Sequence, residues 1–162
     1  MGSMWRNQGD GTAFAGMMRH RLNLLFLLPA LAGCDALPRD ASGATERIER
    51  SGEMRIAVLP GTPDAAPALA LLHAYAAQHD ARLAMVAVHG EHAPHWLEDG
   101  KVDAIVGHFA KASPWQAHIS LSKPVARAEP KNSKQPVLRI ARRNGENAFI
   151  LATDRAVAET AE

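Results

Sequence analysis

Leu97-Glu98-Asp99-Gly100-Lys101-Val102-Asp103-Ala104-Ile105-Val106-Gly107-His108 reads as the end of a helix, a tight glycine turn and a buried strand. Gly100 falls where a helix C-terminus favours a left-handed residue. Val102, Ala104, Ile105 and Val106 form an apolar run long enough for a strand and too short for a helix. Gly107 and His108 are expected to end it. In open α/β sheets the carboxyl ends of the strands form the edge where ligands bind, so Gly107 and His108 mark an edge of interest.

The pattern extends outward from this stretch. Met54–Leu59 is a first strand, bounded by Gly52 and by Pro60-Gly61. Thr62-Pro63-Asp64 carries helix-start residues. Pro67 fits only a first turn, so the helix is expected from about Ala66, with Leu69, Leu72, Tyr75 and Ala76 on one face. Leu83–Val88 is a second strand and Glu91–Glu98 a short helix. Strands and helices alternate with short loops, which argues a parallel sheet with right-handed crossovers. The rhythm then changes. Ser113-Pro114-Trp115 opens a turn, Ile119–Ser122 is a short extended piece, and Val137–Ala141 is a further strand. Asn144-Gly145 is a turn, and Glu146–Ala161 a final helix. The expected fold class is α/β: a mostly parallel sheet of four or five strands, helices on both faces, Val137–Ala141 as its antiparallel member.

The chain has 162 residues, enough for one domain with a substantial core. Its formal net charge is +1, and no basic stripe is interleaved with aromatics, so nucleic acid is not an expected partner. Residues 1–16 carry no structural pattern and read as an extension or an upstream start. Arg19, His20 and Arg21 precede the apolar run Leu22–Leu31, which is too short to span a bilayer. Leu31-Ala32-Gly33-Cys34 follows. This resembles the lipobox of bacterial lipoproteins, with residues 17–33 as the signal peptide. The resemblance implies cleavage after Gly33, lipidation of Cys34 and anchoring in the bilayer. Asp35 after the cysteine is similar to an inner-membrane retention signal. Residues 34–50 are rich in Pro, Asp, Ala, Ser and Gly near their start and read as a tether. The domain proper is expected over 51–162. Cys34 is the single cysteine, so no disulfide framework exists.

From about Gly52 the chain resembles the first lobe of class II periplasmic solute-binding proteins of the polar amino-acid type. Four pieces carry the likeness: Gly52–Val58, Leu97–His108, Ile119–Val125 and Leu138–Asn147. The resemblance implies a periplasmic module accessory to transport of a small solute such as an amino acid, close to an inner-membrane transporter or complex. A complete member inserts a second, domain-sized lobe between the third and fourth pieces. Here residues 126–136 alone separate Val125 from Val137. The carboxylate-clamping Arg of amino-acid-binding members falls on Trp115. An imidazole or indole cannot replace its bidentate geometry. The loop after the first strand also lacks the family's aromatic.

Gly61, Thr62, His89, His108 and Trp115 are the residues expected to meet a ligand at the sheet edge. Gly61 and Thr62 offer either an anion cradle or a simple helix cap. Trp115 either stacks on a ligand or covers surface left by the missing lobe. His89, His92 and His108, with His95 and Glu91 close in sequence, suit a transition metal by donor type, or are solvent-facing polar residues. Arg139, Arg142, Arg143, Lys131 and Lys134 form a local basic cluster, either a solvated edge or a contact for anionic headgroups. No cofactor is implied. No nucleophile elbow or Ser-His-acid spacing occurs, so an enzyme is not expected. The alternatives to solute capture are an interaction protein docking on an inner-membrane complex through the former cleft, and periplasmic metal binding.

Overall fold

The computed structural model describes residues 39–88 and 92–160. Four helices and five strands form the described fold. In chain order they are α1 (Ala44–Ser51), β1 (Glu53–Val58), α2 (Ala66–Gln78), β2 (Arg82–Met85), α3 (Ala93–Glu98), β3 (Ala104–Phe109), β4 (Ile119–Leu121), β5 (Val137–Arg143) and α4 (Asn147–Glu159). A 3₁₀ turn, Pro114–Ala117, precedes β4. The strands lie in the order β2-β1-β3-β5-β4. β1 runs parallel to β2 and β3, and β5 runs antiparallel to β3 and β4. This is the α/β class expected, with the return strand as its antiparallel member.

Side-chain alternation sorts the core into two layers. Ala104 and Val106 of β3 join Met54, Ile56, Leu138 and Ile140 beneath α1, α2 and α4, which contribute Ile48, Leu72, Tyr75, Phe149 and Val157. Ile105 and Phe109 face the other way, with Ala57, Ala141 and Ile119 against Val102 and Leu97 of α3. The sheet is therefore covered on both faces, which explains its apolar strands.

β3 does not end at Gly107-His108. Pairing with β5 carries it on, with Gly107 opposite Arg139, His108 opposite Leu138 and Phe109 opposite Val137. The paired part of β2 is Arg82–Met85, earlier than expected. Val86 still donates to the Ile56 carbonyl at 2.8 Å, and Val88 is buried. α3 starts at Ala93, which places Pro94 in the first turn, where its missing N–H costs no helical bond.

Residues 40–51, read from the sequence as the end of a tether and a short helical turn over Thr45–Ser51 leading into the domain, are part of the fold. Asp40 accepts from the Thr45 amide at 3.0 Å and from the Phe149 amide at 3.0 Å. Its carboxylate thus serves amides in the first turns of both α1 and α4. Glu146, buried, accepts from the amides of Ser42 and Ala44, each at 3.1 Å. Ile48 is fully buried in the larger core layer. The extension, signal peptide and Cys34 lie outside the described residues. Among the described residues no helix is long and apolar enough to cross a membrane.

The basic cluster expected around β5 does not form one surface. β5 lies between β3 and β4, so its alternate side chains enter both layers. Arg142 is fully buried and donates to Asp154, to Thr153 Oγ1 at 2.7 Å and to Ser120 Oγ at 3.3 Å. Burial pulls its pKa below the ordinary guanidinium value, and Asp154 opposes that shift. Arg139 is also buried. It donates to the Ser122 carbonyl at 2.7 Å, to the Phe109 carbonyl at 3.2 Å and to Glu129.

Candidate functional site

The carboxyl ends of β1 and β3 open into a cleft of about 620 Å³. Leu59, Ile105 and Phe109 form its floor, Ala93 and Pro94 one wall, and Pro114 and Trp115 another. His108, His118 and Ser113 are its polar members. Leu59 extends the β1–β3 pairing by donating to the Val106 carbonyl at 2.9 Å. Its side chain lies over Gly107: a Cβ there would fall 2.6 Å from Leu59 Cδ1 and 2.9 Å from Cγ. Gly107 is needed for this close approach, which sets the floor of the cleft.

His108 Nε2 lies 2.8 Å from Asp64 Oδ1. Asp64 belongs to the loop between β1 and α2, which Gly61 turns with φ +78°. A carboxylate only accepts, so Nε2 carries the proton and Nδ1 is the open ring nitrogen. The hydrogen bond from His108 holds the Asp64 carboxyl below its usual range, and the more distant Arg127 acts in the same direction. Glu98 of α3 is held in the same way. His95 Nδ1 lies 3.0 Å from one oxygen and His118 Nδ1 2.7 Å from the other. The hydrogen bond from His95 is the largest cause of its lowered pKa, with His118 adding to it. The Trp115 ring meets His95 and His118 edge-on, at centroid distances of 5.5 and 6.4 Å. Ser113 caps the 3₁₀ turn by accepting from the Trp115 amide at 3.3 Å.

Two of the expected ligand residues, His108 and Trp115, line the same cleft. Gly61 and Thr62 lie on the adjoining loop and are not among its lining residues. Thr62 does not cap α2, whose N-cap is Ala65 with no side-chain cap bond. His89 and Glu91 lie outside the described residues. His92 is exposed at the start of α3. Among the described residues no group of three His, Cys, Asp or Glu is placed to hold a metal ion. Trp115 is half-buried against the smaller core layer and also bounds the cleft, so one side chain covers core surface and lines the cleft.

Asp64, Glu98 and His118 escaped the reading of the sequence. Asp64 stood in a loop read as a helix start, and nothing local pairs it with a residue 44 positions on. His118 is a lone histidine before a short strand, without a motif.

No family model matches the sequence, and no curated protein matches it. Solved structures do. Domain 1 of TmArgBP in its arginine-bound form, from T. maritima, superposes with a TM-score of 0.57 at 14% identity, covering 70% of this chain and 97% of that one. A point mutant of that domain gives 0.58 at 16%, covering 71% and 96%. The fold is that of a single solute-binding-protein lobe. The L-cystine solute receptor of Neisseria gonorrhoeae, in an unliganded open conformation, also matches, with a TM-score of 0.48 at 11% identity over 70% of this chain and 89% of that one.

Proposed function

We propose that this chain is a solute-binding module that works with one lobe, held at the periplasmic face of the inner membrane by lipid on Cys34. On this reading it is accessory to transport of a small solute. The cleft is the observation that carries the reading. It lies at the carboxyl ends of β1 and β3, where open α/β sheets take ligands, and combines apolar walls with a few convergent polar groups. The fold supports it further, since the similar domain 1 of TmArgBP was obtained as an arginine-bound form without its second lobe. Gly61 and Thr62 would border the ligand from the adjoining loop, and His89 is proposed as a further ligand contact.

A ligand that binds only the native state raises the melting temperature by mass action. A thermal-shift screen of the purified chain against amino acids, other small solutes and divalent metals tests the reading. A rise with one solute class, lost on Trp115→Ala, is expected. A flat response from a cooperatively melting sample would overturn solute capture and turn attention to a protein partner. A rise confined to Zn²⁺ or Ni²⁺ would favour the histidines as ligands. Mass labelling of the membrane fraction tests the anchor: Cys34→Ala is expected to abolish lipid attachment and release the protein.

A further inference from the structure

We propose that a second cavity, separate from the cleft, binds a small organic dianion, either a dicarboxylate or a phosphate monoester. It shares no lining residue with the cleft, so the inference does not rest on the cleft being a solute site.

The cavity has a volume of about 490 Å³ and lies between the end of β4, the connection that follows it and the last turn of α4. Leu121, Pro124 and Val157 give it an apolar wall. Lys111, Lys123, Arg127 and Arg139 bring four cations to the same cavity, against one carboxylate, Glu129. The whole chain has a formal net charge of +1, so this is a local concentration of positive charge.

Arg139 is the fixed point. Only 2% of its surface is exposed, yet it lines the cavity. Its guanidinium is held between the ends of two strands. Nε donates to the Phe109 carbonyl at 3.2 Å, Nη1 to the Ser122 carbonyl at 2.7 Å and Nη2 to Glu129. A guanidinium carries one N–H on Nε and two on each terminal nitrogen. One N–H on each terminal nitrogen is therefore left without an acceptor among the described residues. The group is already out of water, so an oxyanion that reaches it gains a charge-assisted bond with little further desolvation of the arginine.

The connection is also held. The Ser122 amide donates to the Ile140 carbonyl and the Val125 amide to the Leu138 carbonyl, each at 2.9 Å. Lys123 lies between these two anchors. Arg127 follows Ala126, whose φ of 56° turns the chain. The side chains of Lys111, Lys123 and Arg127 form no hydrogen bond or ion pair among the described residues.

The charge balance selects the ligand. Glu129 is spent on Arg139, and the C-terminal turn of α4 adds roughly half a negative charge. Asp64 feels Arg127 from a distance and does not line the cavity. About two positive charges remain in excess, which a dianion matches and a monoanion does not. A bare inorganic ion would leave the apolar wall uncovered, whereas an organic body covers it.

Calorimetric titration of the full-length chain at about pH 8, where a phosphate monoester is close to doubly charged, tests this. The dianions are glutarate and phenyl phosphate, and the monoanions are butyrate and phenylacetate. A dianion is expected to bind at least about tenfold more tightly than the monoanion of like body, and to weaken as salt is raised. Binding of one dianion alone supports the proposal and identifies the acid. Lys123→Gln and Arg127→Gln, both at exposed positions, should each weaken it by about threefold or more without lowering the melting temperature. Lys131→Gln, exposed in the same connection but outside the cavity wall, should leave it unchanged. Binding of neither dianion, or equal binding of the monoanions, would overturn the proposal. So would a loss in Lys131→Gln as large as that in Lys123→Gln, which would mark diffuse surface attraction rather than a site.

Discussion

Gly107 shows how one missing methyl group shapes the site. Leu59 lies across it, and a Cβ would meet three Leu59 side-chain carbons, the farthest at 3.1 Å. Gly107→Ala is therefore expected to destabilise the fold by about 1–3 kcal/mol through overpacking. Leu59→Ala added to that variant should recover part of the loss, which a double-mutant cycle of urea midpoints would measure. The histidine–carboxylate contacts make a second prediction at this scale. Asp64 is held below its ordinary value of 3.8 by the hydrogen bond from His108. A carboxylate depressed in the folded state contributes stability that is present above its unfolded pKa and lost as pH falls through the folded one. The difference in stability between the parent and Asp64→Asn should thus shrink as pH falls below 3.8. Because both partners are exposed to solvent, that difference should be small and weakened by salt. An increase of the difference as pH falls below 3.8 would contradict the assignment.

Among the elements, the strands and larger helices were legible because apolar runs of strand or helix length are bounded by Gly and Pro. Met54–Leu59 and Leu97–His108 needed no partner to be read. β5 was legible as a strand, but the fate of its arginines was not. Arg139 and Arg142 look like surface charge until β5 is placed between β3 and β4, where both faces are covered. The end of β3 was misplaced for the same reason, since its last residues are held by β5 rather than by the parallel strands. Helix starts show the limit most clearly. Asp40 reaches the amide of Phe149, 109 residues away, while it also serves Thr45. No local pattern signals such a cap. Asp40→Ala removes the acceptor for two helix starts and should cost about 1–2 kcal/mol, read from urea midpoints. Asp40→Asn, which keeps an acceptor, should cost less.

At the scale of the whole molecule, the consequence of α1 belonging to the fold is a different domain boundary. The tether read from composition ran to residue 50, yet Ile48 is fully buried and Glu146 is spent on the amides of Ser42 and Ala44. A chain beginning at Gly52 would expose the Ile48 site of the core and orphan two buried carboxylate bonds. It should melt lower, and less cooperatively, than one beginning at Asp35, as followed by circular dichroism. Thr45–Ser51 reads as a short helical turn, but the Pro, Asp, Ala, Ser and Gly before it suggest a tether, and a short helix needs its tertiary partner to show that it belongs to the fold. The candidate site was half legible. The sheet edge, His108 and Trp115 followed from the order of strands and turns. Asp64, Glu98 and His118 did not, because their pairing is set by how α3 and the 3₁₀ turn pack against the strand ends.

The central claim is that one lobe suffices to hold a small solute at the carboxyl ends of β1 and β3. Its most direct test is an NMR titration of the isotope-labelled chain with the solute panel, following backbone amides and the Trp115 indole N–H. The account predicts saturable shifts confined to residues 59–64, 107–110 and 113–118, with the indole among the largest. A well-dispersed spectrum that no solute perturbs, or shifts that map elsewhere on the sheet, would contradict it.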